Sequence, residues 1–248
     1  EGMAPAPRIL FPPEKICMEW QQQQAAGAGL CNPGNMCYLN SVLQCLTYTP
    51  PLANYLLSGE HRQSCPQQGF CMMCIMEGHV IRALCSSGSD LVPLTVIRSL
   101  NRIGEHFELG MQEDAHDFLR CTVEAMQSAC LSGCSDLDTS SQSTTIVHQI
   151  FGGFLRSRVT CLSCSAVSDS YETFLDVSLE IEATSSVTAA LEDFVKPEQL
   201  DGENCFRCHS CDKMVAASKR LTVQCLPMVL TLCLKRFQYL TGQKISKV

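Results

Sequence analysis

The sequence predicts an α+β chain in which helices fill residues 29–150 and strands dominate after Phe151. Three observations predict it. Before residue 150 apolar residues recur at helical spacing, as Val42, Leu43 and Leu46 do. After Phe151 the chain turns mainly to strands, and Met228–Leu234 is apolar on both faces, as in a buried central strand. At 248 residues and 46% hydrophobic content, the chain has enough apolar matter for one sizeable core.

Taken in order, residues 1–28, with Pro5, Pro7, Pro12, Pro13 and the Gln21–Gln24 run, read as a flexible lead. Helices are expected over Cys37–Leu46, Leu52–Leu57, Cys71–Cys85, Pro93–Ile103, Gln112–Ala129 and Thr144–Phe151. The helix from Gln112 carries the apolar stripe Ala115, Phe118, Leu119, Thr122 and Met126, which leaves His116 off the stripe and solvated. His148, between Ile146 and Ile150, reads as a packing residue. Residues 130–143, rich in Ser, Gly and Asp, read as a loop. Beyond residue 150, residues 165–182 and 214–225 read as strand and 187–195 as helix.

Charge and length exclude several classes. No apolar run approaches the ~18 residues of a membrane helix, and the start shows no basic-then-apolar leader. The formal charge of −7 argues against nucleic-acid binding and suits a basic partner. Eighteen cysteines in a chain of this length, with paired CxxC spacings and no secretion signal, favour reduced thiols and metal over disulfides.

One cysteine stands where a nucleophile belongs. In Gly29–Gln44 the turn pair Pro33-Gly34 runs into an amphipathic helix, with Asn35 the expected N-cap and Cys37 in the first turn. A thiol there meets the positive end of the helix dipole, which favours the thiolate that attacks carbonyls. The alternative is a small buried hydrophobe.

Two CxxC pairs, Cys161/Cys164 and Cys208/Cys211, supply the four soft ligands of a zinc tetrahedron. The intervening residues 165–207 exceed a small ribbon's gap, so a folded segment has to bring the pairs together. A looser cluster, His61, Cys65, Cys71, Cys74 and His79, leads into the helix carrying Met76, Val80, Ile81 and Leu84. Reduced cysteines at a helix start are the commoner reading of it, and a second metal site the alternative. One zinc per chain is the expectation.

The Gly29–Gln44 segment resembles the cysteine box of the ubiquitin-specific proteases, deubiquitinating enzymes with the pattern Gly-Leu-x-Asn-x-Gly-Asn-Thr-Cys-x-x-Asn-x-x-Leu-Gln. Position by position, Cys37 falls on the nucleophile and Asn32 on the oxyanion donor, while Met36 stands where the family has threonine. Further matches follow in the family's order: Gln112–Leu119, with Asp117 in place of the usual glutamate; Phe151-Gly152-Gly153 with Cys161-x-x-Cys164; Leu175–Leu179; Cys208-x-x-Cys211; and Leu232–Phe237. The run Cys45–Ser58 is similar to one branch of the family with nuclear members.

The resemblance implies a papain-like cysteine protease: a helical thumb over 29–150, then zinc-ribbon fingers and part of a β palm over 151–248. It implies a thiol-dependent hydrolase of the isopeptide bond after ubiquitin's C-terminal glycine, with ubiquitin and ubiquitinated proteins as partners and a nuclear and cytoplasmic location. One structural zinc is implied at Cys161, Cys164, Cys208 and Cys211. Asp114 and Asp117, one helical turn apart, are the expected carboxylates for the arginines of ubiquitin's tail; the alternative is an ordinary solvated helix face. None of the six histidines stands in the family's Gly-His-Tyr box, which follows the Lys-Arg-Phe segment. The expectation is therefore a fragment without the catalytic His and Asp/Asn, the alternative being a catalytically silent ubiquitin-binding or zinc-ribbon relative.

Overall fold

The computed structural model describes residues 5–23 and 25–236. Gln24 of the lead and Phe237 of the Lys-Arg-Phe segment lie outside the described residues. The chain divides into two units, Glu1–Ile150 and Phe151–Val248.

In chain order the first unit holds β1 (Gly29–Leu30), α1 (Cys37–Thr47), α2 (Pro50–Ser58), α3 (Glu60–Ser64), α4 (Met72–Cys85), β2 (Asp90–Leu91), α5 (Leu94–Ile97), α6 (Leu100–Ile103), α7 (Ala115–Leu131), α8 (Thr139–Gln142) and all but the last residue of α9 (Ile146–Phe151). Its core is the sum of the amphipathic faces. Leu39, Leu43 and Leu46 of α1, Leu52 and Leu56 of α2, Met72, Met73, Met76 and Val80 of α4, and Phe118 and Met126 of α7 are all buried, with α4 packing on α1, α2 and α7. Tyr38 packs edge-on to Phe118 at 5.5 Å and beside Phe107 at 6.3 Å, fastening the start of α1 to α7.

Several expectations shift. The helix expected over 93–103 is two short helices, α5 and α6, because the α5 C-cap at Arg98 and the α6 N-cap at Ser99 interrupt it. The expected 130–143 loop contains α8, whose N-cap Asp138 accepts the Ser141 N–H. Ile81, expected on the buried face of α4, is 38% exposed, while Glu77 and His79 lie inside. His116 is half-buried and partnered rather than solvated. The lead over 1–28, expected to be flexible, is tied down at several described residues: Phe11 N–H donates to Thr144 O at 3.1 Å, Gln21 N–H to Asn54 Oδ1 and Gly27 N–H to Tyr48 Oη.

The second unit holds β3 (Gly153–Cys161), β4 (Val167–Phe174), β5 (Val177–Glu180), α10 (Val187–Phe194), β6 (Glu198–Leu200), β7 (Phe206–Cys208), β8 (Lys213–Val215), β9 (Ala217–Cys225) and β10 (Leu232–Lys235). Strands run β4-β3-β9-β6 in an antiparallel sheet; β7 and β8 form a hairpin. Phe174, Val177, Leu179, Ile181 and Ala190 make its core, with Leu155, Leu191, Phe194 and Leu232 against them. Gly153 is required by close approach, since a Cβ there would sit 2.5 Å from both the Cys225 carbonyl oxygen and the Phe174 ring.

The expected buried strand over Met228–Leu234 differs in the structure. It is the shorter β10, paired in parallel with β5 alone among the described residues, and Met228, Leu230 and Leu234 stay exposed. An apolar run marks a strand that can be covered on both faces, but neighbours decide whether it is.

Candidate active site and metal centre

Cys37 is the first residue of α1 and its thiol is exposed. The turn before it is built differently from the N-cap expected at Asn35. Gly34 and Asn35 take φ +126° and +54°, so Asn35 occupies the left-handed region that asparagine tolerates. Its side chain reaches away from the helix, donating to Gly110 O at 2.7 Å and accepting from Gln112 Nε2 at 3.3 Å. Met36 takes the cap position instead.

Asn32 supplies what the cap lacks. Its Oδ1 accepts the backbone N–H groups of Gly34, at 3.1 Å, and Met36, at 3.0 Å. With Oδ1 so committed on an exposed residue, the Nδ2 end of the amide remains as a donor, the kind of group an oxyanion needs. Met36, the family's threonine position, is fully buried, so its bulk goes into the core while Cys37 faces solvent.

Asn40 was not singled out from sequence, although it stands in the cysteine-box pattern. Its Nδ2 donates to Cys31 O at 3.0 Å and to Leu30 O at 3.4 Å, clamping the segment that carries Asn32 to the helix that carries Cys37. The Asn35–Gln112 bond does the same between this turn and the lead into α7.

Asp114 and Asp117 sit at the start of α7. Asp114 is the N-cap, accepting the His116 N–H on Oδ1 at 2.7 Å. Asp117 pairs with Arg120 at 2.8 Å and with His106 at 2.6 Å. Burial works to raise its carboxyl, but the hydrogen bonds from Arg120 and His106 outweigh it and hold the group below the usual carboxylate range. The remaining histidines are placed as follows. His61 touches Cys71, His148 is buried in α9, and His209 lies in the β7–β8 turn. His79 is wholly buried, with neither ring nitrogen partnered among the described residues.

In the second unit Cys161 ends β3 and Cys208 ends β7; Cys164 and Cys211 lie in the turns that follow. The two turns repeat one device, a positive φ just after the second cysteine, at Ser165 (+62°) and Asp212 (+49°). All four sulfurs lie within 4.8 Å of one another. Cys161 and Cys211 are 3.9 Å apart, and Cys164 and Cys208 are 3.7 Å apart. Sulfurs bound tetrahedrally at a Zn–S distance of about 2.3 Å stand about 3.8 Å from one another, so the quartet fits zinc. The Cys164 backbone N–H, 3.4 Å from the Cys161 sulfur, holds that thiol down to about 6. Hydrogen bonding with Cys164 pushes Cys211 up to about 12. None of the eighteen cysteines is in a disulfide.

Comparison with known proteins agrees with this geometry. The profile of the family described as ubiquitin carboxyl-terminal hydrolase matches residues 28–248. Human ubiquitin carboxyl-terminal hydrolase 42 is 58% identical over 247 residues, all of this chain but 19% of that protein. Human ubiquitin carboxyl-terminal hydrolase 17-like protein 6 is 48% identical over 247 residues, 61% of its length. The chain thus spans less than two thirds of either relative. Among solved structures, chains of the SAGA Ubp8/Sgf11/Sus1/Sgf73 DUB module match: one bound to ubiquitin aldehyde at TM-score 0.76, 27% identity and 93% of this chain, and one bound to monoubiquitin at TM-score 0.75, 27% identity and 93% of this chain. These chains are about twice as long, 52% and 53% of each being covered. With a profile match over nearly its whole length and a cysteine box folded around Asn32 and Cys37, the chain belongs to the ubiquitin carboxyl-terminal hydrolase family.

Proposed function

We propose that this chain carries the nucleophile and oxyanion donor of a thiol-dependent deubiquitinase that hydrolyses the isopeptide bond after ubiquitin's C-terminal glycine. The observation that carries the reading is the pairing of an exposed Cys37 at the start of α1 with an Asn32 amide locked by two backbone N–H groups. Ubiquitin and ubiquitinated proteins are the proposed partners, supported by the ubiquitin-bound Ubp8 structures.

In this reading the Cys37 thiolate attacks the glycine carbonyl carbon and Asn32 Nδ2 donates to the oxygen as it gains charge. The C–N bond breaks, the lysine amine leaves with a proton, and water then hydrolyses the thioester to release the glycine carboxylate. None of the six histidines stands in a Gly-His-Tyr box, so no base is assigned within residues 1–248. Asp114 and Asp117 are proposed to meet the tail arginines; Asp114 uses only Oδ1 for its cap. Zinc at Cys161, Cys164, Cys208 and Cys211 would be structural, joining the two turns with no ligand position left open. A nuclear and cytoplasmic location is proposed on the Cys45–Ser58 resemblance alone.

The test is reaction with a ubiquitin whose C-terminus carries an alkylating group. A covalent adduct that maps to Cys37 and disappears in Cys37→Ala is expected. Ubiquitin binding without an adduct would replace the enzyme reading with that of a silent binder.

A further inference from the structure

We infer that His61, Cys65, Cys71 and Cys74 form a second structural zinc site, in the helical unit and independent of the reaction proposed above. Sequence alone left these cysteines as reduced thiols at a helix start. The fold brings them together. α3 carries His61, Cys65 is its C-cap, Cys71 is the N-cap of α4, and Cys74 lies in the first turn of α4. One ligand atom from each lies within 4.8 Å of the others.

The spacings are those of a coordination shell. His61 Nε2 is 3.2 Å from Cys71 Sγ, and Cys65 Sγ is 3.7 Å from Cys71 Sγ. A tetrahedron with Zn–S of about 2.3 Å and Zn–N of about 2.0 Å sets its ligand atoms about 3.5–3.8 Å apart. A disulfide would need about 2.05 Å. Cys71 and His61 are buried and the other two half-buried, so the four do not form an exposed surface cluster. Three thiols and an imidazole are a soft set that suits zinc, and a full set of four leaves no position for water or substrate.

The chain also repeats its own metal-binding device here. The Cys74 backbone N–H points at Cys71 Sγ across 3.5 Å, as the Cys164 N–H points at Cys161 Sγ across 3.4 Å. Around the site, Arg62 pairs with the buried carboxylate of Glu77 at 2.6 Å and reaches the Cys74 carbonyl at 3.4 Å. These bonds hold α3 against α4 and keep His61 aimed at the sulfurs. α3 has five residues, too few to persist as a helix unaided, so a metal at its end would staple it to α4 and through α4 to α1. His79 is not a ligand: five positions beyond Cys74, it is turned about 140° around α4.

The experiment is zinc content per chain, measured by elemental analysis of the purified whole chain prepared with zinc. Two equivalents are expected for the native chain, one for His61→Ala or Cys71→Ser, and one for Cys208→Ser. His61→Cys keeps four ligands and should keep two. In Cys208→Ser loaded with cobalt(II), the remaining tetrahedral cobalt–thiolate absorption should vanish when Cys71→Ser is added and shift when His61→Cys is added. A native count of one that Cys71→Ser leaves unchanged overturns the site. Should Cys71→Ser fail to fold, a cobalt spectrum indifferent to His61→Cys in folded protein overturns it as well.

Discussion

The side-chain oxygen of Asn32 accepts the backbone N–H of Met36 at 3.0 Å, so the turn that opens α1 also commits the carbonyl end of the Asn32 amide. The Asn32 side chain and the start of the helix bearing Cys37 are thus one piece of structure.

That coupling separates two roles of Asn32. Asn32→Asp keeps the acceptor for Gly34 and Met36 but removes the Nδ2 donor. Affinity for ubiquitin aldehyde, whose adduct places oxygen where the oxyanion forms, should fall about 100-fold, the usual effect of losing one such donor. Affinity for unmodified ubiquitin should change little. Equal losses for both ligands would make Asn32 a folding residue only.

Asp117 is tied to Arg120 and His106, yet a third of its side chain is exposed. If it meets ubiquitin's arginines, Asp117→Asn should slow association of the ubiquitin probe about threefold at low salt, with the difference shrinking as ionic strength rises. Stopped-flow measurement at two salt concentrations decides it; a salt-independent effect would confine Asp117 to its internal pairs.

Burial, aided by the charge of Arg82, lowers the His79 imidazole from 6.5 to about 4. The folded value lies below the unfolded one, so the unfolded chain binds the proton first as pH falls. The stability contributed by a neutral buried His79 is complete above about pH 6.5 and is lost on the way down to 4, a difference on the order of 3 kcal/mol. His79→Leu, which also removes two ring nitrogens without a partner among the described residues, should flatten that part of the stability–pH curve. Parallel curves for both proteins would contradict it.

If the Cys161 quartet holds zinc as proposed, Cys208→Ser should release it and free the β7–β8 hairpin, whose buried residues are Cys208 and Val215. Hydrogen exchange should rise over residues 206–215, while α1 and α2 keep their protection. Exchange rising equally in both units would mean that the quartet supports more than its own hairpin.

Gly153→Ala should destabilise the second unit by about 1–3 kcal/mol, the usual cost of forcing an atom into a packed site, because the new Cβ meets the Cys225 carbonyl and the Phe174 ring. Denaturant titration monitored in the sheet gives the value directly; a neutral substitution would show that β9 can move aside there.

Local signals were legible in sequence. The α1, α2, α4 and α7 helices follow apolar periodicity, and the two CxxC pairs announce their turns, since both signals depend on residues a few positions apart. Asn35 misled because a left-handed asparagine and an N-cap asparagine look alike in a Pro-Gly-Asn turn; only its bonds to Gly110 and Gln112 tell them apart. The apolar run at Met228–Leu234 likewise could not say how many strands would flank it.

By itself, the sequence determined that Cys37 stands at a turn-to-helix junction and that Cys161/Cys164 and Cys208/Cys211 sit in paired turns, because both are set by short-range backbone geometry. Tertiary structure alone decided that Asn40 clamps the Asn32 segment to α1, and that His61 rather than His79 faces Cys71. Those choices depend on how α3, α4 and β1 pack, and burial of their apolar faces settles that over distances no spacing rule spans.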